Sequence, residues 1–409
     1  MSIGIYTLTS PLHDEAAVKA VTQEFLGSLN IEYSLKGNDY ADYGSSALSL
    51  IYVRTGGTEG VFNQLLPQLQ KQSGEPFYLL TSGKSNSLAA SMEILSFLRQ
   101  RGLKGEILHG SADYIRQRIE VLARVGEARR RLRGARLGIV GEPSDWLISS
   151  VVDGDRVRER LGIELVSIPM SDLLREYHAL ESVPMQEEAD EYASFVAPLN
   201  GSDAPAIQQS LPDATRLFVA LRKVAEMNGL QGLTIRCFDL LTAIRNTGCI
   251  ALARLNSEGY VAGCEGDVPA MLSMMIARSL LGVSGFQANP AHIDPQTGEM
   301  LFAHCTIPFN MTRRYELDTH FESGIGVGVR GYVDAGPVTI FKVSGLLDRH
   351  FVAEGTLETC QAEGDLCRTQ QVIRLDHPSD TSYFLTNPIG NHHVILPGHV
   401  KELLDEILK

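Results

Sequence analysis

Tyr260-Val261-Ala262-Gly263-Cys264-Glu265-Gly266-Asp267-Val268-Pro269 passes from an apolar, strand-like tripeptide into a helix-like run that continues to Leu281. A strand-to-helix junction is where an α/β protein presents side chains to a ligand, because the loops at that edge of a sheet are free of ladder hydrogen bonds. This junction offers two carboxylates, Glu265 and Asp267, spaced by one glycine in otherwise apolar surroundings. Acids beside a core are costly unless a metal ion, a basic partner or a shared proton compensates their charge.

On the N-terminal side the same rhythm repeats. Ile3–Thr7, Leu48–Val53, Phe77–Leu80 and Glu106–His109 read as strands, with amphipathic helices at 14–29, 59–71 and 86–101 and a long helix from the end of the last strand to about Arg133. Arg136–Val140 opens a second series with strands Ile163–Ile168 and Leu233–Cys237 and helices Ser171–Leu180 and Ala204–Met227. Alternating β and α segments imply parallel sheets covered on both faces. After about residue 284 helical periodicity fades, and Gly, Pro and β-branched residues dominate 324–343 and 372–395 before a short helix at 400–408. The expected fold is therefore α/β, with two doubly wound parallel-sheet domains (1–133 and 134–284) followed by a β-rich, barrel-like domain (285–409).

A formal net charge of −13 argues against a nucleic-acid partner, which needs a basic surface. No apolar run is long enough to cross a bilayer, and Met1–Tyr6 lacks the basic start of a leader, so a cytoplasmic protein is expected. The six cysteines all follow residue 236 without a CxxC pair, a pattern of reduced thiols. Arg129–Arg131 with Arg133 fits a solvated helix end better than an anion site. The loops Arg54–Glu59 and Thr81–Ser87 sit where ligand loops sit, with plain turn chemistry as the equal alternative. Tyr78 stands where a phosphate loop needs glycine, which removes the nucleotide reading of Gly83-Lys84-Ser85.

Eight of the eleven histidines lie after residue 290. Imidazole nitrogen with carboxylate oxygen is a ligand set for Mn, Fe, Co, Ni or Zn. His304 ends a strand-like run, and His392-His393 follows a tight Asn387-Pro388-Ile389-Gly390 turn. Cys264 and Cys305 flank the same region and read as small packing residues.

Three blocks, 262–268, Leu301-Phe302-Ala303-His304-Cys305 and Ile389-Gly390-Asn391-His392-His393-Val394, resemble in order and spacing the L-fucose isomerase and L-arabinose isomerase superfamily. The detailed match covers roughly residues 230–409. The resemblance implies a divalent-metal-dependent aldose–ketose isomerase, using Mn2+ or a similar ion, that acts on an open-chain sugar through an ene-diol. It also implies a homo-oligomer in which a neighbouring subunit closes the cavity. Residue by residue, Glu265 falls on the first carboxylate, His304 on a histidine ligand of the arabinose branch, and His392 or His393 on the remaining histidine. The second carboxylate falls on Asn289, whose amide can ligate weakly and cannot accept a proton. Asp267 and Asp239 are the nearest substitute bases. Arg236 is a candidate for an anionic substituent of the substrate or for a structural ion pair, and Asn391 and His393 are candidate substrate contacts. Asn289 also keeps two other readings open: a metal-assisted epimerase or lyase, and a non-catalytic sugar-binding protein.

Overall fold

Leucine-rich strands alternating with amphipathic helices build the first part of the chain. In the computed structural model, which describes residues 2–73, 76–199, 201 and 203–409, the chain divides into two compact units, Met1–Arg130 and Arg131–Lys409. In the first unit β1 (Ile3–Leu8), β2 (Ser34–Gly37), β3 (Leu48–Val53), β4 (Phe77–Leu80) and β5 (Gly105–Leu108) form a parallel sheet in the order β2-β1-β3-β4-β5. β3 and β4 are buried along nearly their whole length, as strands covered on both faces must be. The edge strand β2 was not expected, since Ser-Leu-Lys-Gly has neither β-branched residues nor alternation. The two candidate ligand loops of this unit hydrogen-bond to each other through Gly56 N and Ser85 O at 2.7 Å, and Arg54 is held by Glu15 at 2.8 Å.

The second unit carries another parallel sheet, β6 (Arg136–Val140), β7 (Glu164–Ile168), β8 (Gly232–Ile235) and β9 (Val261–Gly263), in the order β7-β6-β8-β9. Helices at Gly154–Leu161, Gln186–Ala193 and Cys249–Ser257 add to the expected ones. Cys249–Ser257 is buried almost all round, so it carries no amphipathic stripe by which to be recognised.

A closed antiparallel barrel follows, made of β10 (Phe286–Asp294), β11 (Glu299–His304), β14 (Gly336–Val343), β15 (His350–Gln361), β16 (Thr369–Leu375) and β17 (His393–Pro397), with β12 (Arg314–Asp318) and β13 (Gly328–Tyr332) as a separate ribbon. Closure leaves no barrel strand with an unpaired edge. Within the β-rich domain one segment read as β-like is a helix, Thr381–Thr386, entered through Pro378 and ended before Pro388. The helix Val268–Leu281 joins sheet to barrel. It is buried almost throughout, and Ser273 Oγ accepts a hydrogen bond from Val343 N at 3.0 Å.

Candidate functional site

β8 and β9 end side by side, so the residues just past them meet. Gly266 N donates to Ile235 O at 2.9 Å, and Ser144 N donates to Glu265 O at 3.0 Å. Gly266 has φ +69°, and a Cβ there would lie 2.7 Å from Glu142 O, so the turn admits only glycine. Glu265 itself adopts φ 64°. A left-handed side-chain-bearing residue costs on the order of 1 kcal/mol and persists where packing over-determines it.

The Glu265 carboxylate is held at both oxygens. Trp146 Nε1 donates to Oε2 at 2.6 Å, and Oε1 lies 3.3 Å from His392 Nε2 and 3.6 Å from His304 Nε2. Burial alone would raise this carboxyl's pKa, but the adjoining His304 and His392 imidazoles outweigh burial and hold it far below the usual carboxylate range. One ligand-type atom from each of Glu265, His304 and His392 falls within 4.8 Å of the others, and all three residues are buried. Both ring nitrogens of His304, Nε2 of His392 and Oδ1 of Asn289 are buried with no hydrogen-bond partner. Such atoms are costly unless something else satisfies them. A divalent cation fits this donor set, since imidazole nitrogens and oxygens without other partners are what a borderline cation takes.

These groups lie at a cavity of about 390 Å³. Glu265, Asn289, His304 and Asn391 line it, together with Trp146, Phe238, His320 and Glu322. His392 stands behind that wall and is fully buried. Glu265 and Glu322 are the carboxylates of the lining, and no Lys or Arg belongs to it among the described residues.

Four residues expected at the site lie elsewhere. Asp267 is fully buried, and its Oδ1 caps the helix Val268–Leu281 through Ala270 N at 2.8 Å. Its Oδ2 faces His392 Nδ1 at 2.9 Å and Lys342 Nζ at 3.3 Å, so the carboxylate is turned away from the cavity. Asp239 is paired with Arg236 at 3.1 Å, and Arg236 is also held by Asp145 at 2.8 Å and Pro143 O at 2.8 Å. That is the structural ion pair, and neither partner is part of the lining. His393 points opposite to His392, as neighbours on an extended chain do. Its ring is fully buried beside Phe351, Tyr383 and Phe384, with Nε2 3.0 Å from Tyr383 Oη and Nδ1 3.0 Å from Asn391 O.

Trp146, Phe238 and Lys342 escaped the sequence reading. Trp146 sits in an irregular loop, and its only sequence signal is that it is the sole tryptophan. Lys342 carried a clearer signal, a lone charge inside the apolar run Val338–Val343. His320 and Glu322 also line the cavity.

A parallel-sheet unit completed by a barrel, with buried imidazoles converging on a carboxylate at a polar cavity, defines the class as an α/β enzyme with a carboxylate–histidine centre. Residues 148–280 match the model of the L-arabinose isomerase central domain. A sulfoquinovose isomerase of Priestia aryabhattai is 23% identical over 332 residues, covering 79% of this chain and 73% of the relative. A sulfoquinovose isomerase of Clostridium sp. (strain MSTE9) is 28% identical over 229 residues, 55% of this chain and 48% of the relative. The L-arabinose isomerase of Clavibacter sepedonicus is 25% identical over 231 residues, 51% and 44% of the two chains. These similarities, over residues 148–280 and at 23–28% identity, support the resemblance to the L-fucose isomerase and L-arabinose isomerase superfamily.

Proposed function

We propose that this protein is an aldose–ketose isomerase, an intramolecular oxidoreductase that acts on an open-chain sugar or sugar derivative. The observation that carries the reading is the pair of unpartnered buried nitrogens, His304 Nε2 and His392 Nε2, beside the Glu265 carboxylate, with the unpartnered Asn289 Oδ1 of a residue lining the same cavity as Glu265 and His304. Glu265, His304 and His392, with Asn289 as a weaker fourth donor, would hold a divalent ion, for which Mn2+ is the first candidate. When bound, such an ion supplies Lewis-acid polarisation next to the carbonyl whose α-proton is lost.

The chain's own groups divide the remaining work. Trp146 holds one oxygen of Glu265, which fixes the direction of the carboxylate. Proton movement between C1 and C2 needs carboxylates or imidazoles within reach of the sugar. Glu265 and Glu322 are the lining carboxylates, with His320 beside them. Glu322 thereby stands in for the acid absent at Asn289, and Asp267 serves as the orienting partner of His392. Asn391 offers an amide to substrate hydroxyls. A lining with two carboxylates and no Lys or Arg favours an uncharged sugar inside this cavity.

Homo-oligomeric assembly belongs to the same proposal. Trp146, Ile148 and Val151 are 50%, 87% and 69% exposed on the loop that supplies the cavity's Trp146, and a neighbouring subunit would cover them. Among the described residues no helix is long and apolar enough to cross a membrane. A cytoplasmic setting is supported by the six free cysteines.

Incubation with aldoses and ketoses in D2O, with Mn2+ and then with chelator, tests the reading. Metal-dependent deuterium at C1 or C2 together with ketose formation is expected by NMR. Binding across a broad panel without exchange would overturn it.

A further inference from the structure

The cavity wall is rich in thiols. Cys237, Cys249, Cys264, Cys305 and Cys367, five of the six cysteines, line it. Within that wall Cys237 Sγ and Cys264 Sγ lie 3.0 Å apart, both in buried residues and both as free thiols. A disulfide needs sulfurs at about 2.05 Å, so closing this pair requires roughly 1 Å of movement. Cys237 and Cys264 lie just past the ends of β8 and β9, which are hydrogen-bonded neighbours, and this keeps the pair together.

The two thiols also hold both ends of the support around Glu265. Cys264 directly precedes Glu265, whose own backbone is held left-handed. Cys237 precedes Phe238, whose ring meets Trp146 at 4.8 Å, and Trp146 donates to Glu265. A covalent tie between the sulfurs would pull on the Glu265 carboxylate from its own backbone and through the Phe238–Trp146 contact.

We propose that Cys237 and Cys264 form a two-thiol modification site that peroxides, entering through the cavity, oxidise to a cystine, displacing Glu265. One thiol sulfur attacks the peroxide O–O bond, giving a sulfenic acid and releasing water. The second thiol sulfur then attacks the sulfenyl sulfur, forming S–S and releasing a second water. The two thiols lose two hydrogens and two electrons in all, and hydrogen peroxide is reduced to two waters.

The experiment treats the 409-residue protein with stoichiometric hydrogen peroxide, maps its peptides by mass spectrometry and titrates Mn2+ by calorimetry before and after. Expected are a Cys237–Cys264 cross-linked peptide lighter by two hydrogens and a fall in Mn2+ affinity of at least about tenfold, the scale seen when the support of metal ligands is disturbed. Dithiothreitol should reverse both. Cys237→Ser and Cys264→Ser should each abolish the cross-link and the loss of affinity, judged against that variant's own untreated state. A different cystine, over-oxidation without a cross-link, or a cross-link that leaves Mn2+ affinity unchanged would overturn the proposal. The affinity readout rests on the metal centre proposed above. Should the untreated protein bind no Mn2+, that reading fails by itself, and peptide mapping still decides whether the cystine forms.

Discussion

Asp267 Oδ2 lies 2.9 Å from His392 Nδ1, and both side chains are fully buried. Burial opposes the charged form of Asp267, but Lys342 and His392 outweigh it and hold the carboxyl below its ordinary range. An ionised carboxylate only accepts, so Nδ1 of His392 carries a hydrogen, and when the ring gives up its second proton the Nε2 lone pair is the one on the Glu265 side. The arrangement is the carboxylate–imidazole support that fixes a ligating ring. Asp267→Asn tests it cleanly, because asparagine caps a helix about as well as aspartate. Mn2+ affinity should fall roughly 10- to 100-fold by calorimetry. Thermal stability should fall too, on the order of 3 kcal/mol, because Lys342 is left buried without its counter-charge. Unchanged Mn2+ affinity in a folded Asp267→Asn protein would refute the support role.

Glu265→Gln keeps the size of the side chain and removes its charge. Turnover should drop at least about 100-fold, and metal content should fall with it. Glu322→Gln should also lose turnover while keeping its metal, since Glu322 lines the cavity and is not in the Glu265–His304–His392 group. Comparing kcat with metal content by atomic emission separates the two roles. If Glu322→Gln turns over normally, Glu322 carries no proton.

Much of the centre was legible in short-range pattern. Glu265 and His304 stand at the ends of recognisable strands, and His392 follows a proline–glycine turn, so each is announced by its neighbours. The direction of a side chain was not legible. Asp267 and Glu265 are two residues apart, yet the first caps a helix while the second faces the cavity, a difference made by the left-handed backbone at Glu265 and Gly266. The barrel's closure was only partly legible, because it pairs β10 with β17 across about a hundred residues. Trp146 reaches Glu265 across a comparable separation, from a loop with no periodicity.

Asn289 offers the reverse experiment. Its Oδ1 is buried and without a partner, and Asn289→Asp would place a second carboxylate there. Without metal the new charge should destabilise the protein, because it has no counter-charge of its own. With Mn2+ it should bind more tightly, so the rise in melting temperature on adding Mn2+ should exceed that of the unaltered protein. An equal or smaller rise would mean that Asn289 lies outside the metal's reach.

The sole tryptophan makes the site observable, because Trp146 Nε1 is bonded to the proposed ligand Glu265. Mn2+ or substrate binding should shift or quench its emission in a saturable way, and the signal should vanish in Trp146→Phe. That variant also loses the donor to Glu265 Oε2, a charged hydrogen bond that contributes about 1.5–3 kcal/mol, so weaker Mn2+ binding is expected. Emission blind to saturating Mn2+ would separate Trp146 from the centre.

His392 and His393 should give the metal-free protein opposite pH dependences. At His392 burial works against the charged form, but Asp267 and Glu265 prevail and raise its pKa from 6.5 to about 9. A raised base adds stability that is complete below pH about 6.5 and is lost as pH climbs through about 9, roughly 3 kcal/mol in all. At His393 burial, aided by Lys342, lowers the pKa from 6.5 to about 3. There the unfolded chain binds the proton first, so stability falls as pH drops from about 6.5 towards 3. Melting temperature in the presence of chelator should therefore peak near pH 6.5. His392→Gln should flatten the alkaline limb, and His393→Gln should soften the acid limb, where other carboxylates still titrate. Saturating Mn2+ should remove the alkaline limb as well, since ligation needs the neutral ring and releases its proton. An alkaline limb that survives in His392→Gln would assign it to another group.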